Sequence, residues 1–209
     1  MNMQEIRETN LKVAKGLGYP VNERLPFMDE VNQLRSLADA AERLLCLNAV
    51  VACSYGFPKD KAIKWLIREG AFDHLAQSEQ DYLYSSSNGA TNAQKQWQVE
   101  SIWALAWCVG CHDDLDFADS CSDSLIQMLP NLAKDVTTEA FKMGLKLRAK
   151  SEIVLKADLV YCLHWAVRNA EINGQRTPGK VPANVVAERR RALEWMISQD
   201  DWDEVTLDT

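Results

Sequence analysis

The chain has 209 residues, of which 47% are hydrophobic and 25% charged, with only nine Gly and six Pro. That is enough for one sizeable core built from long elements with sparse turns, and it excludes a disordered or disulfide-stapled class. The net charge of −7 sets aside a nucleic-acid backbone as partner.

The elements read as helix after helix. Residues 3–16 form a first helix stopped by Gly16 and Gly18. Residues 19–27, YPVNERLPF, carry two prolines and read as a loop. Ser36 and Asp39 make a capping box that opens a helix running to Gly56. Pro58 and Gly70 bracket the next helix, KDKAIKWLIRE. Ser78 and Asp81 read as a second capping box, before YLY. The stretch SSSNGATN is the most flexible-looking loop, and AQKQWQVESIWALAWCVG after it is a single helix closed by Gly110. A short helix spans 123–129 and ends at Pro130. A long helical stretch covers 138–173, with a break expected near Ser151, and the last helix covers 184–198.

Three segments are apolar nearly all round: Leu44–Cys53, Ile102–Val109 and Leu159–Val167. A helix apolar on every side must be surrounded by other helices. The expectation is an all-α protein, a single compact multi-helix domain over 1–209 with buried central helices. Seven Trp supply much of the core volume. The start, MNMQEIRETN, shows no export signal, and the longest apolar runs reach roughly half a membrane span. A cytoplasmic protein with six free thiols and no membrane partner is expected.

The acidity sits in two places. Asp113, Asp114, Asp116, Asp119 and Asp123 crowd one segment, and Asp200, Asp201, Asp203, Glu204 and Asp208 crowd the end. Without these ten acids the net charge would turn from −7 to +3. The segment CVGCHDDLDFAD overlays three motifs. Cys108, Cys111 and His112 have the spacing of a covalent haem site, but that chemistry needs export. Cys108, Cys111, His112 and Cys121 could supply zinc ligands, but the second paired knuckle is missing. Asp113, Asp114 and Asp119 resemble the magnesium motif of all-helical prenyl-diphosphate enzymes. The only second motif for that chemistry, QDDWDE at 199–204, lies past the last helix. No metal and no cofactor are therefore expected, and no catalytic residue is assigned.

The segments ADLVYCLHWAVRNA, VVAERRRALEWM and the closing DWDEVTLDT resemble the bacterial family called domain of unknown function 4272. LPFMDEVNQLRSLADAAERLLCL, LAQSEQDYL and WQVESIWALAW agree less sharply, and the resemblance covers nearly the whole chain. It implies a compact helical bacterial protein and carries no established activity. Among its polar residues, Asp158, Trp165 and Arg168 share one helix face, Glu188 and Arg189 open the last helix, and Asp203 follows it. Trp202 is too large and apolar to be left in water. These residues are expected to form an Arg–carboxylate network docking the tail on the bundle, or the wall of a pocket.

The function expected is a non-enzymatic protein-binding domain, of the immunity or adaptor type. Its acidic loop at Asp113, Asp114, Asp116 and Asp119 would meet a basic protein partner. The alternatives are a magnesium-dependent enzyme on a prenyl-diphosphate-like scaffold, and a scaffold acting as a homo-oligomer.

Overall fold

The computed structural model describes residues 2–86 and 89–208. These residues hold helices and no strand, as the periodicity and caps predict. The helices are α1 (Met3–Gly16), α2 (Leu37–Ser54), α3 (Lys59–Arg68), α4 (Gln77–Tyr84), α5 (Gly89–Trp97), α6 (Val99–Cys108), α7 (Leu125–Met128), α8 (Glu139–Gly144), α9 (Lys150–Ile172) and α10 (Ala183–Ile197). Short 3-10 turns lie at Phe72–His74 and Leu132–Lys134.

The three all-apolar segments lie in α2, α6 and α9, and they carry the core. The packing runs as a relay. α1 lies on α9, α9 on α10, α10 on α6, and α6 on α2. α2 also carries α3, α4 and α5, and with α3 and α4 it encloses a second core around Trp65, Leu66 and Tyr82. An all-apolar helix needs neighbours on several sides, and this relay supplies them.

Local chemistry sets most boundaries. The Ser36 side chain accepts from Asp39 N–H, and Asp39 accepts from Ser36 N–H, so the expected box at α2 is made. The start of α4 differs from expectation. Ala76 precedes the helix and Glu79 accepts its N–H, while Ser78 sits inside the first turn. The expected loop SSSNGATN is also shorter, because α5 begins at Gly89; its Ser87 and Asn88 lie outside the described residues.

Two further differences concern continuity. The helix expected over 93–110 divides at Gln98, whose N–H turns back to Lys95 O in a tighter turn. No Gly or Pro marks that point. The stretch 138–173 divides earlier than Ser151, into α8 and α9 joined by extended residues 145–149. There Lys146 N–H donates to Val109 O and Arg148 N–H to Cys108 O, both at 2.9 Å. The end of α6 thus gains backbone partners, and this pairing fixes where the acidic segment leaves the core. Gly110 makes the exit with φ +77°, and a Cβ there would stand 3.0 Å from Lys146 O. Only glycine meets both conditions without strain.

Candidate functional site

The acidic segment follows Gly110 as an irregular loop anchored by two side chains. Leu115 and Phe117 are buried, while Asp113, Asp114, Asp116, Asp119 and Asp123 are exposed. The chain alternates core anchor with solvent carboxylate, so the backbone cannot drift from the bundle.

Three cations beneath the loop hold its carbonyl oxygens rather than its carboxylates. Arg148 Nε donates to Trp107 O and its Nη2 to His112 O, each at 2.7 Å. Lys156 Nζ donates to Leu115 O at 2.7 Å. Arg189 donates to Asp116 O, and to Asp119 O at 3.0 Å. The side chain of Asp116 turns inward along the loop and accepts from Ala118 N–H at 2.9 Å, an Asx turn. Asp113 comes no closer than 3.7 Å to Arg148, with its side chain fully in solvent (105% exposed). An ion pair of that kind contributes little.

Arg189 is itself buried and takes a carboxylate that sequence reading missed. Glu100 in α6 lies 2.8 Å from Arg189 and accepts Cys121 N–H at 2.9 Å. The signal was present: Glu100 is a lone acid beside an all-apolar run, and such a charge needs a partner. Glu188 does not join this pair. It lies 2.7 Å from Ser101 Oγ, and burial raises its carboxyl above the usual range.

The rest of the expected network separates into different clusters. Asp158, fully buried, takes Arg7 of α1 at 2.7 Å and Asn10 Nδ2 at 2.9 Å. Arg7 also donates to Leu25 O and Pro26 O, which ties down the proline loop. Arg168 stands apart, exposed, paired with Glu171 on its own helix. Spacing along one helix could place Asp158 and Arg168 on one face, nearly three turns apart. It could not show that α1 covers only the first of them.

The tail is held mainly through its backbone. Arg190 donates to Leu207 O at 2.9 Å and Asp208 O at 2.7 Å, and Arg35 donates to Asp200 O. Trp202 is 3% exposed, edge-on to Trp195 at 5.9 Å and under the guanidinium of Arg43. Asp203 reaches the first turn of α4, where it accepts from Ser78 N–H at 2.8 Å and Ser78 Oγ at 2.6 Å. A carboxylate is favoured at a helix N-terminus, and this one comes from 125 residues along the chain. Arg190 also donates to His164 Nδ1 at 2.7 Å. Burial and the adjoining Arg190 push His164 down to about 4, so it is the neutral acceptor there.

The Cys and His residues of the loop motif face different surroundings. Cys108 is fully buried, and burial pushes its thiol up. Cys111 is raised to about 11 and Cys121 to about 12, again by burial. His112 stacks on Trp103 with ring centroids 3.7 Å apart. Among the described residues no three His, Cys, Asp or Glu are grouped to hold a metal ion. Nor is any helix long and apolar enough to cross a membrane.

The family profile described as Domain of unknown function (DUF4272) matches residues 6–205. The chain belongs to that family. No curated protein and no solved structure matches it. The DUF4272 match spans the buried cluster at Arg7 through the docked Trp202 and Val205; α1 begins just before it, and the Leu207 and Asp208 carbonyls that Arg190 holds lie just past it.

Proposed function

We infer that this DUF4272 chain is a non-enzymatic protein-binding domain of the bacterial cytoplasm, an immunity-type or adaptor module, whose acidic loop meets a basic partner. The observation that carries this reading is the clamp under the loop: Arg148, Lys156 and Arg189 bind carbonyl oxygens and leave Asp113, Asp114 and Asp119 facing solvent, while Asp116 braces the loop between them. Carboxylates displayed on a fixed backbone lose little freedom on binding, and their field speeds encounter with an opposite charge.

Selection from a random peptide-display library against the immobilised chain tests it. The expected winners are rich in Lys and Arg. They should bind the Asp113→Asn, Asp114→Asn, Asp119→Asn variant about tenfold more slowly, with a shallower salt dependence. Winners without basic residues, or an unchanged on-rate, would overturn the reading. A magnesium enzyme and a homo-oligomer are the competing readings, and magnesium titration and sedimentation of the purified chain address them directly.

A further inference from the structure

A second polar locus lies where α4, α5, α10 and the tail meet. It is a cleft of about 390 Å³, and Lys95 of α5 and Arg191 of α10 stand on its wall. Lys95 is only 9% exposed. Among the described residues its amine has no hydrogen-bond acceptor and no carboxylate within ion-pair distance. The Tyr82 ring lies 5.9 Å away, and Glu79, Asp203 and Glu188 act on the amine through space. Arg191 is half-buried and likewise without an acceptor or ion-pair partner among the described residues. Burial lowers the Lys95 amine from its usual value. A lysine so placed costs stability unless something meets its charge.

Two acids line the cleft with these cations: Asp203 is held at both oxygens by Ser78, and Asp81 accepts from Gln77. Glu188 is bound to Ser101, and Glu79 is bound to Arg43 through one oxygen, its other making no hydrogen bond among the described residues. They soften the positive field without supplying a contact to either cation. What the cleft wall offers the ligand is therefore an ammonium and a guanidinium on one cleft, each with N–H donors unused among the described residues, opening on space for a small molecule. A dianion with several oxygens matches two cations in charge and in donors.

We propose that this cleft binds the phosphoryl group of a small molecule between Lys95 and Arg191. The site is independent of the acidic loop and of the protein-binding reading. Its ligand class is a phosphomonoester or free phosphate; a carboxylate brings one charge for two cations and binds less tightly.

The test is an NMR titration of the full chain with inorganic phosphate, with acetate as the monoanion control. Phosphate should saturate and move the side-chain resonances of Lys95 and Arg191, and acetate should bind at least about tenfold more weakly. Lys95→Met and Arg191→Gln should each weaken phosphate by at least about tenfold, while Asp113→Asn, Asp114→Asn, Asp119→Asn should leave it unchanged. Lys95→Met should also melt no lower than the parent, because it removes an unpaired buried charge and keeps the apolar stem. Absence of saturable phosphate binding, equal affinity for acetate, or full affinity in Lys95→Met would overturn the proposal. A lower melting temperature for Lys95→Met would do the same, by making Lys95 a structural residue.

Discussion

Single residues in this chain carry large electrostatic stakes because four arginines are buried. Arg189 and Glu100 are 1% and 2% exposed at their side chains, and among the described residues each has no other partner of opposite charge within ion-pair distance. Arg189→Met should therefore destabilise by roughly 3 to 5 kcal/mol in urea unfolding, since it strands a buried carboxylate. Adding Glu100→Gln should restore much of the loss; no recovery in the double variant would mean that the loop carbonyls, not Glu100, are what Arg189 serves. His164 gives a pH signature. Its folded value of about 4 lies below the ordinary imidazole value, so the unfolded chain takes up the proton first as pH falls. Stability should then drop between about pH 6.5 and pH 4, by roughly 3 kcal/mol at most from this group. Glu188 and Glu194, raised by burial, act in the opposite sense at the acid end. The comparison that isolates the histidine is His164→Gln, which keeps an acceptor for Arg190 and should flatten the slope in that window. A parallel slope would assign the acid sensitivity elsewhere.

Elements explain what the sequence could and could not disclose. α2 was readable because Ser36, Asp39 and Gly56 mark its ends and its interior is apolar throughout. The division at Gln98 was not, because residues on both sides favour helix and the turn is set by what α5 and α6 pack upon. Glu100 could have been singled out from its apolar setting. Arg7 could not, since nothing local distinguishes it on a short amphipathic helix whose partner, Asp158, lies 151 residues away. Lys95 and Arg191 come together only once α5 and α10 are in place, so no spacing rule reaches them. The tail behaves as an element despite having no helix. A chain ending at Asp200 uncovers Trp195, removes the cap from α4 and frees Arg190. Its melting temperature should fall by several degrees, the effect of losing about 1 to 2 kcal/mol. An unchanged melting curve would refute the docking. Gly110→Ala probes the other junction. It places a Cβ against Lys146 O at positive φ, and should cost roughly 1 kcal/mol or more by the same assay.

At the scale of the whole molecule, charge and stability are separated in space. The acids that set the net charge are mostly outside, on the loop and the tail, and the buried ion pairs hold helices to one another. The Asp113→Asn, Asp114→Asn, Asp119→Asn variant should accordingly keep its stability to within about 0.5 kcal/mol. A larger loss would show that the loop is a strut and not a display. The clamps also bear on time. Helical proteins fold quickly when their contacts are local, yet α1 is fastened to α9 across 151 residues and α4 to the tail across 125. Closing loops of that length carries a large entropy cost, so these fastenings are expected to form late, on the downhill side of the folding barrier. Asp158→Asn should then hasten unfolding far more than it slows refolding, and the lifetime of the native state, more than the speed of reaching it, is what the Arg7 clamp governs.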